Sequence, residues 1–138
     1  MKKVFSTKWK ASSRPGKKRK YVAKAPLHIK RKFLGAMLSK ELRKKYSKKT
    51  MPVRKDDRVK ILAGGFKGKE GKVTRIFTGL SKITIENIQR KKRDGSKVDV
   101  KIYPSNVVIT ELALNDRKRM EMHKKETNIK ENAEVGKK

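Results

Sequence analysis

Glycine and lysine crowd around a single aromatic ring in "LAGGFKGKEGKV", residues 62–73, a composition suited to holding phosphate. Gly64, Gly65, Gly68 and Gly71 permit positive φ and close approach of another backbone, and Lys67, Lys69 and Lys72 bring charge to the same surface. A nucleotide-hydrolysing loop would need Gly-x-x-x-x-Gly-Lys-Ser/Thr. Ala63 and Phe66 stand where that first glycine belongs, and Glu70 and Val73 follow the two Gly-Lys pairs without a hydroxyl for magnesium. The dinucleotide pattern fails as well, because Phe66 stands where a glycine is required before Gly68 and Gly71. What is left is a backbone-opening, cationic loop between two strands. Phe66 either anchors that loop on the core or stacks on a base, and anchoring is the better supported of the two.

Other reactive groups are sparse. The chain has two histidines and no cysteine, which excludes disulfides, thiolate metal sites and Cys/His nucleophilic pairs. His28 reads as a phosphate contact or a local packing group, and His123 as a solvated side chain. Asp56 and Asp57 are neighbours, and adjacent strand residues point to opposite faces, so they read as turn and strand-entry residues. No metal, cofactor or catalytic set is expected, and an enzyme is disfavoured.

Positive charge recurs in clusters. Lys17, Lys18, Arg19 and Lys20 precede Tyr21; Lys30, Arg31 and Lys32 follow His28; Arg43, Lys44 and Lys45 form a third group. Arg54 stands alone, and Arg90, Lys91, Lys92 and Arg93 form the last run. Any single run could be a solvated face. Together they read as phosphate contacts that neutralise a polyanion and release its counterions.

The elements that must carry these groups follow from periodicity. Residues 1–25 have little apolar material and read as a basic extended arm that orders on its partner. Residues 26–50 read as two short basic helices, with Pro26 opening the first, Gly35 breaking the run and Ser39 capping the second. Leu38, Leu42 and Tyr46 then form a thin apolar stripe. Residues 51–112 alternate in short strands. Val59 and Ile61 mark the first, Val73 to Phe77 the second with a suspected bulge, and Ile83 with Ile85 the third. Val98, Val100 and Ile102 mark the fourth, and Val107 with Ile109 the fifth. Asp94-Gly95 signals a two-residue hairpin. Such short, closely spaced strands predict a mainly β fold, a small antiparallel barrel whose closure removes exposed edges. Residues 113–138 read as a C-terminal helix and tail, with Asn115 as its cap.

The chain has 138 residues and a formal charge of +29, with 34% hydrophobic residues, so one small core with tails is all it can fill. Glu41 is the single acid among residues 1–55. That asymmetry points to an arm lying on nucleic acid, ahead of an acidic membrane surface. No apolar run is long enough for a membrane-spanning helix, and "MKKVFSTKWK" lacks the apolar stretch of a secretory signal.

Gly68-x-x-Gly71-Lys72-Val73, preceded by Gly65-Phe66-Lys67, resembles the KOW motif of ribosomal proteins and transcription elongation factors. Its flanks narrow the resemblance. "APLHIKRKFLGAMLSKELRKKY", "MPVRKDDRVKILAGGFKGKEGKV", "DGSKV" and "YPSNVVIT" are similar to the archaeal and eukaryotic branch of one large-subunit ribosomal protein family. It is numbered twenty-four in the universal scheme and twenty-six in the eukaryotic one. The likeness runs from about residue 14 to about residue 114. Tyr103 departs from it, standing where members often carry histidine, so no contact of that histidine is carried over.

The resemblance implies an SH3-like barrel bearing the KOW hairpin, with basic extensions threaded over large-subunit rRNA beside neighbouring ribosomal proteins. It further implies an early role in cytoplasmic subunit assembly and a place near the peptide exit tunnel. By position it gives RNA contact to the Lys67–Lys72 loop, Lys17–Tyr21, Lys30–Lys32, Arg43–Lys45 and Arg54. Two rivals compete with this reading. A transcription elongation module would need a separate α/β domain ahead of the strands, and residues 1–50 are too basic and too poor in apolar residues for one. A nonspecific condensing protein would bind duplex DNA as well as folded rRNA.

Overall fold

The computed structural model describes residues 5–6, 12–115 and 119. Helix α1 spans Pro15–Lys24, within the stretch expected to be extended. Pro15 supplies a preset φ for the first turn, and the lysines, Arg19 and Ala23 that follow are good helix formers. The helix stops where Ala25 turns extended ahead of Pro26, as the residue before proline tends to. It buries none of its own residues, so its hold on the body is slight. Tyr21 makes the contact, with its ring centroid 4.8 Å from that of Phe5 and 6.3 Å from that of Phe33.

Helix α2 covers Leu27–Lys32 with Pro26 as its cap. Strand β1 follows at Gly35–Leu38, on residues that the sequence reading assigns to the helical region. The side chains show why: Ala36 and Leu38 are buried and Met37 between them is exposed, a period of two rather than 3.6. Leu38 therefore belongs to the sheet, while Leu42 and Tyr46 pack on the core from helix α3, Lys40–Tyr46. Ser39 caps α3 as its position predicts, its Oγ accepting from the Leu42 N–H at 3.3 Å. Glu41 sits in the first turn, where the helix dipole favours a carboxylate.

The remaining strands are β2 (Thr50–Pro52), β3 (Arg58–Ile61), β4 (Glu70–Phe77), β5 (Lys82–Ile85), β6 (Gln89–Lys91), β7 (Lys97–Asp99) and β8 (Val107–Glu111). Five of them join β1 in one six-stranded sheet, in the order β2-β1-β8-β3-β4-β5. The pairing of β1 with β8 is parallel, and the others in that sheet are antiparallel. The expected closed antiparallel barrel is thus corrected to a mixed sheet that does not close. Both edges of β8 are taken, by β1 and β3, and β7 pairs with β6 in a separate ribbon. The expected fourth strand is split: Lys97–Asp99 joins the ribbon, and Ile102 makes an isolated bridge to Ile83. The suspected irregularity in β4 lies between Val73 and Arg75, where its register with β5 shifts.

The core is built mainly from the strands of this sheet. Val59, Val73, Ile83, Val107 and Ile109 are completely buried, with Leu38, Ile61, Ile85 and Ile88 nearly so. Each contributes at most about 1.5–3 kcal/mol by leaving water. Asp57 and Arg119 are buried charges. The Asp57 Oδ2 accepts from the Arg54 N–H at 2.7 Å and its Oδ1 from the Ala113 N–H at 2.9 Å. Arg119 then grips both oxygens, at 2.6 and 3.0 Å. Asp56 beside it takes φ 68° in the turn, so the pair acts as turn and strand entry, not as two facing carboxylates. Among the described residues no helix is long and apolar enough to cross a membrane. Of the expected C-terminal segment only residues 113–115 and Arg119 are described; the rest of it, with His123, lies outside the described residues.

Candidate nucleic-acid interface

The glycine loop joins β3 to β4 and is fastened at its base. The Ile61 N–H donates to Lys69 O at 2.9 Å, the Gly68 N–H to Ile61 O at 2.8 Å, and the Leu62 N–H to Asn106 O at 2.8 Å. The four glycines do different work. Gly64 and Gly68 hold φ +98° and +86°, the left-handed region. Gly71 has no room for a side chain, since a Cβ would lie 2.8 Å from Glu86 O and from Ile85 Cγ2. Gly65 meets neither condition. Phe66 is partly buried and packs against the core, which makes it the loop's anchor.

Lys67, Lys69 and Lys72 are exposed around this loop. Glu70 is engaged by Lys60 at 3.0 Å, and Arg58 by Glu111 at 3.5 Å. Among the described residues Lys67 and Lys72 have no acid within ion-pairing distance. Lys69 lies 5.4 Å from the Phe66 ring centroid. Two of the local acids are thus paired with strand cations, and the loop cations are exposed.

Residues from two other clusters meet across the sheet edge. Arg31 and Lys32 from α2 and Arg54 after β2 line one open cleft of about 690 Å³. Its walls include Leu34, Met51, Val53 and Ile76. Lys30 is half-buried and His28 exposed on the same helix. Lys17, Lys18, Arg19 and Lys20 are exposed along α1. Arg43 is partly committed inside the protein: its Nε donates to Leu38 O at 2.7 Å, which ties α3 to β1. Lys44 and Lys45 on α3 are exposed, and Lys45 lies 5.7 Å from the Tyr46 ring centroid.

The β6–β7 ribbon carries Arg90, Lys91, Lys92 and Arg93, all exposed. Its loop differs from the expected two-residue turn. The Lys92 N–H donates to Ser96 O at 2.9 Å and the Gly95 N–H to Lys92 O at 3.2 Å, with Gly95 at φ +86°. This is a three-residue loop closed by a left-handed glycine. Asp94 holds it: its Oδ1 accepts from the Ser96 hydroxyl at 2.6 Å and the Ser96 N–H at 2.9 Å. Those two bonds, the hydroxyl first, keep its carboxyl below the ordinary value of 3.8. Lys91 stands directly opposite Lys97, a like-charge pair that costs the ribbon stability until an anion lies over it.

Sequence reasoning missed Lys97, Lys101 and Asn106. Lys97 is found only from strand register. Lys101 and Asn106 join the glycine loop through a chain reversal, the 3-10 turn Pro104–Asn106, which no local pattern announces. Among the described residues no three His, Asp or Glu side chains gather as metal ligands do.

A family model described as ribosomal proteins, L26 in eukaryotes and L24 in archaea, matches residues 12–125. The large ribosomal subunit protein uL24 of Korarchaeum cryptofilum (strain OPF8) is 44% identical over 108 residues, covering 78% of this chain and 82% of that relative. The protein of the same name from Littorina littorea is 44% identical over 128 residues, covering 91% of this chain and 89% of that one.

Proposed function

Because this chain belongs to the family of eukaryotic L26 and archaeal L24 ribosomal proteins, we propose that it is a structural constituent of the cytoplasmic large ribosomal subunit that binds rRNA. In this reading β3, the glycine loop and β4 form the KOW hairpin of an SH3-like unit. Lys67, Lys69 and Lys72 neutralise phosphates there, and the α1, α2 and α3 cations with Arg54 extend the contact. The β6–β7 ribbon is a second prong. RNA shape and backbone charge set most of the recognition. The chain acts early in subunit assembly near the peptide exit tunnel, beside other ribosomal proteins, without cofactor or catalysis.

One observation carries this reading: the exposed loop lysines surround a glycine-opened backbone, and two neighbouring acids are bound elsewhere, Glu70 to Lys60 and Glu111 to Arg58. A polyanion is the ligand that such a surface lacks. The test is filter binding of large-subunit rRNA to the chain carrying Lys67→Glu, Lys69→Glu and Lys72→Glu together. All three side chains are exposed, so the fold should persist, checked by circular dichroism. The expected result is a loss on the order of a hundredfold at low salt. Unchanged affinity would remove the loop from the mechanism.

A further inference from the structure

Gly65 is a glycine without an internal reason. Its φ lies outside the left-handed region, and a Cβ built on it meets nothing within 4 Å. Yet it helps to wall a small cleft of about 260 Å³ between the glycine loop and residues 100–106. Phe66, Tyr103 and Asn106 are among its walls, the Lys101 ammonium is turned to the Phe77 ring at 4.8 Å, and none of its lining residues is acidic.

Tyr103 is the second anomaly. It is 52% exposed although its neighbour Pro104 is buried. Its backbone is held on both sides: the Ile102 N–H donates to Ile83 O at 2.8 Å and the Asn106 N–H to Tyr103 O at 3.0 Å. Lys82 Nζ stands 4.8 Å from its ring centroid. An aromatic ring left in water on a fixed backbone, with a cation beside it, is a preformed stacking surface.

We infer that this cleft receives one unstacked nucleotide of the bound RNA. The base lies against Tyr103, its phosphate faces Lys82, and Gly65 leaves free the space that a side chain would fill. The Asn106 amide oxygen accepts from the Ser105 hydroxyl at 3.4 Å, which leaves its N–H groups to meet the base edge. The volume of about 260 Å³ suits a single base. The choice of RNA over an apolar peptide rests on the acid-free, lysine-edged lining. It also rests on the rRNA-binding reading above, to which it adds a contact with a base where that reading invokes only phosphates.

The test uses the full chain with two probes at matched salt: a short single-stranded oligouridylate and an RNA duplex of equal length. The quantity read is the ratio of the two affinities. Tyr103→Ala and Gly65→Val are each expected to lower the single-strand-to-duplex ratio about tenfold, and Tyr103→Phe to restore it. A ratio unmoved by both Tyr103→Ala and Gly65→Val overturns the cleft while leaving phosphate binding intact. If instead the unaltered chain binds neither probe at low salt, the rRNA-binding reading falls and the cleft with it.

Discussion

Gly71 and Gly65 lie six positions apart on one loop and strand, and the structure assigns them opposite sensitivities. A methyl at Gly71 would sit 2.8 Å from Glu86 O, a backbone atom that cannot swing aside. Gly71→Ala is expected to destabilise the fold by about 1–3 kcal/mol in urea unfolding, whereas Gly65→Ala should stay within about 0.5 kcal/mol of the parent. Asp57 and Arg119 make a sharper case, because both are buried and the guanidinium closes on the carboxylate from sixty-two positions away. Removing one partner strands the other without water, so Arg119→Met should lower stability by about 3–5 kcal/mol. A urea midpoint equal to that of the parent would show that the clasp contributes nothing. Sequence reasoning placed Asp57 at a strand entry from its neighbours alone. Its partner was illegible, since nothing local in Arg119 distinguishes it from the chain's other arginines.

At the scale of elements, legibility followed the strength of the local signal. Ser39 and Glu41 announced the start of α3, and the alternation around Val59, Ile83 and Ile109 announced β3, β5 and β8 correctly. The four residues of β1 carried only Gly, Ala, Met and Leu, which suit either state until a partner strand decides. The fourth expected strand was divided because alternation shows which side chains share a face but not which strand they pair with. The ribbon that resulted depends on its turn. Asp94 is held below 3.8 by the Ser96 hydroxyl and N–H. Its ionised form therefore supports the folded loop at all pH values above that of the free carboxylate, and the support is lost as pH falls through the lowered value. The ribbon amides should keep their NMR dispersion from neutrality to about pH 5, and Asp94→Ala should broaden them at neutral pH. Unchanged ribbon spectra in Asp94→Ala would contradict this role.

The whole molecule is a small mixed sheet carrying far more charge than it can neutralise, +29 in 138 residues. Self-repulsion at that density opposes compaction and is relieved by a polyanion. The like-charged Lys91–Lys97 pair and the exposed lysines of α1 fit this picture. Composition alone pointed to a polyanion, and the family resemblance implied that it is large-subunit rRNA, which is the proposal made above. The three-dimensional grouping of Arg31 and Lys32 with Arg54 needed the fold, because α2 and the end of β2 are brought together by the pairing of β1 with β2 and the Val53 N–H bond to Leu34 O. Affinity for rRNA should fall steeply with salt, by about three to five decades between low and moderate ionic strength if six to ten phosphates are engaged. A shallow salt dependence would mean that apolar or base contacts dominate.

The most direct test of ribosomal RNA binding is ultraviolet crosslinking of assembled large subunits containing this chain, followed by mapping of the joined peptides and RNA fragments. Crosslinks to large-subunit rRNA are predicted within the glycine loop, the α2 cluster and the β6–β7 ribbon. Recovery of the chain in those particles with no crosslink in any of the three segments would contradict the account.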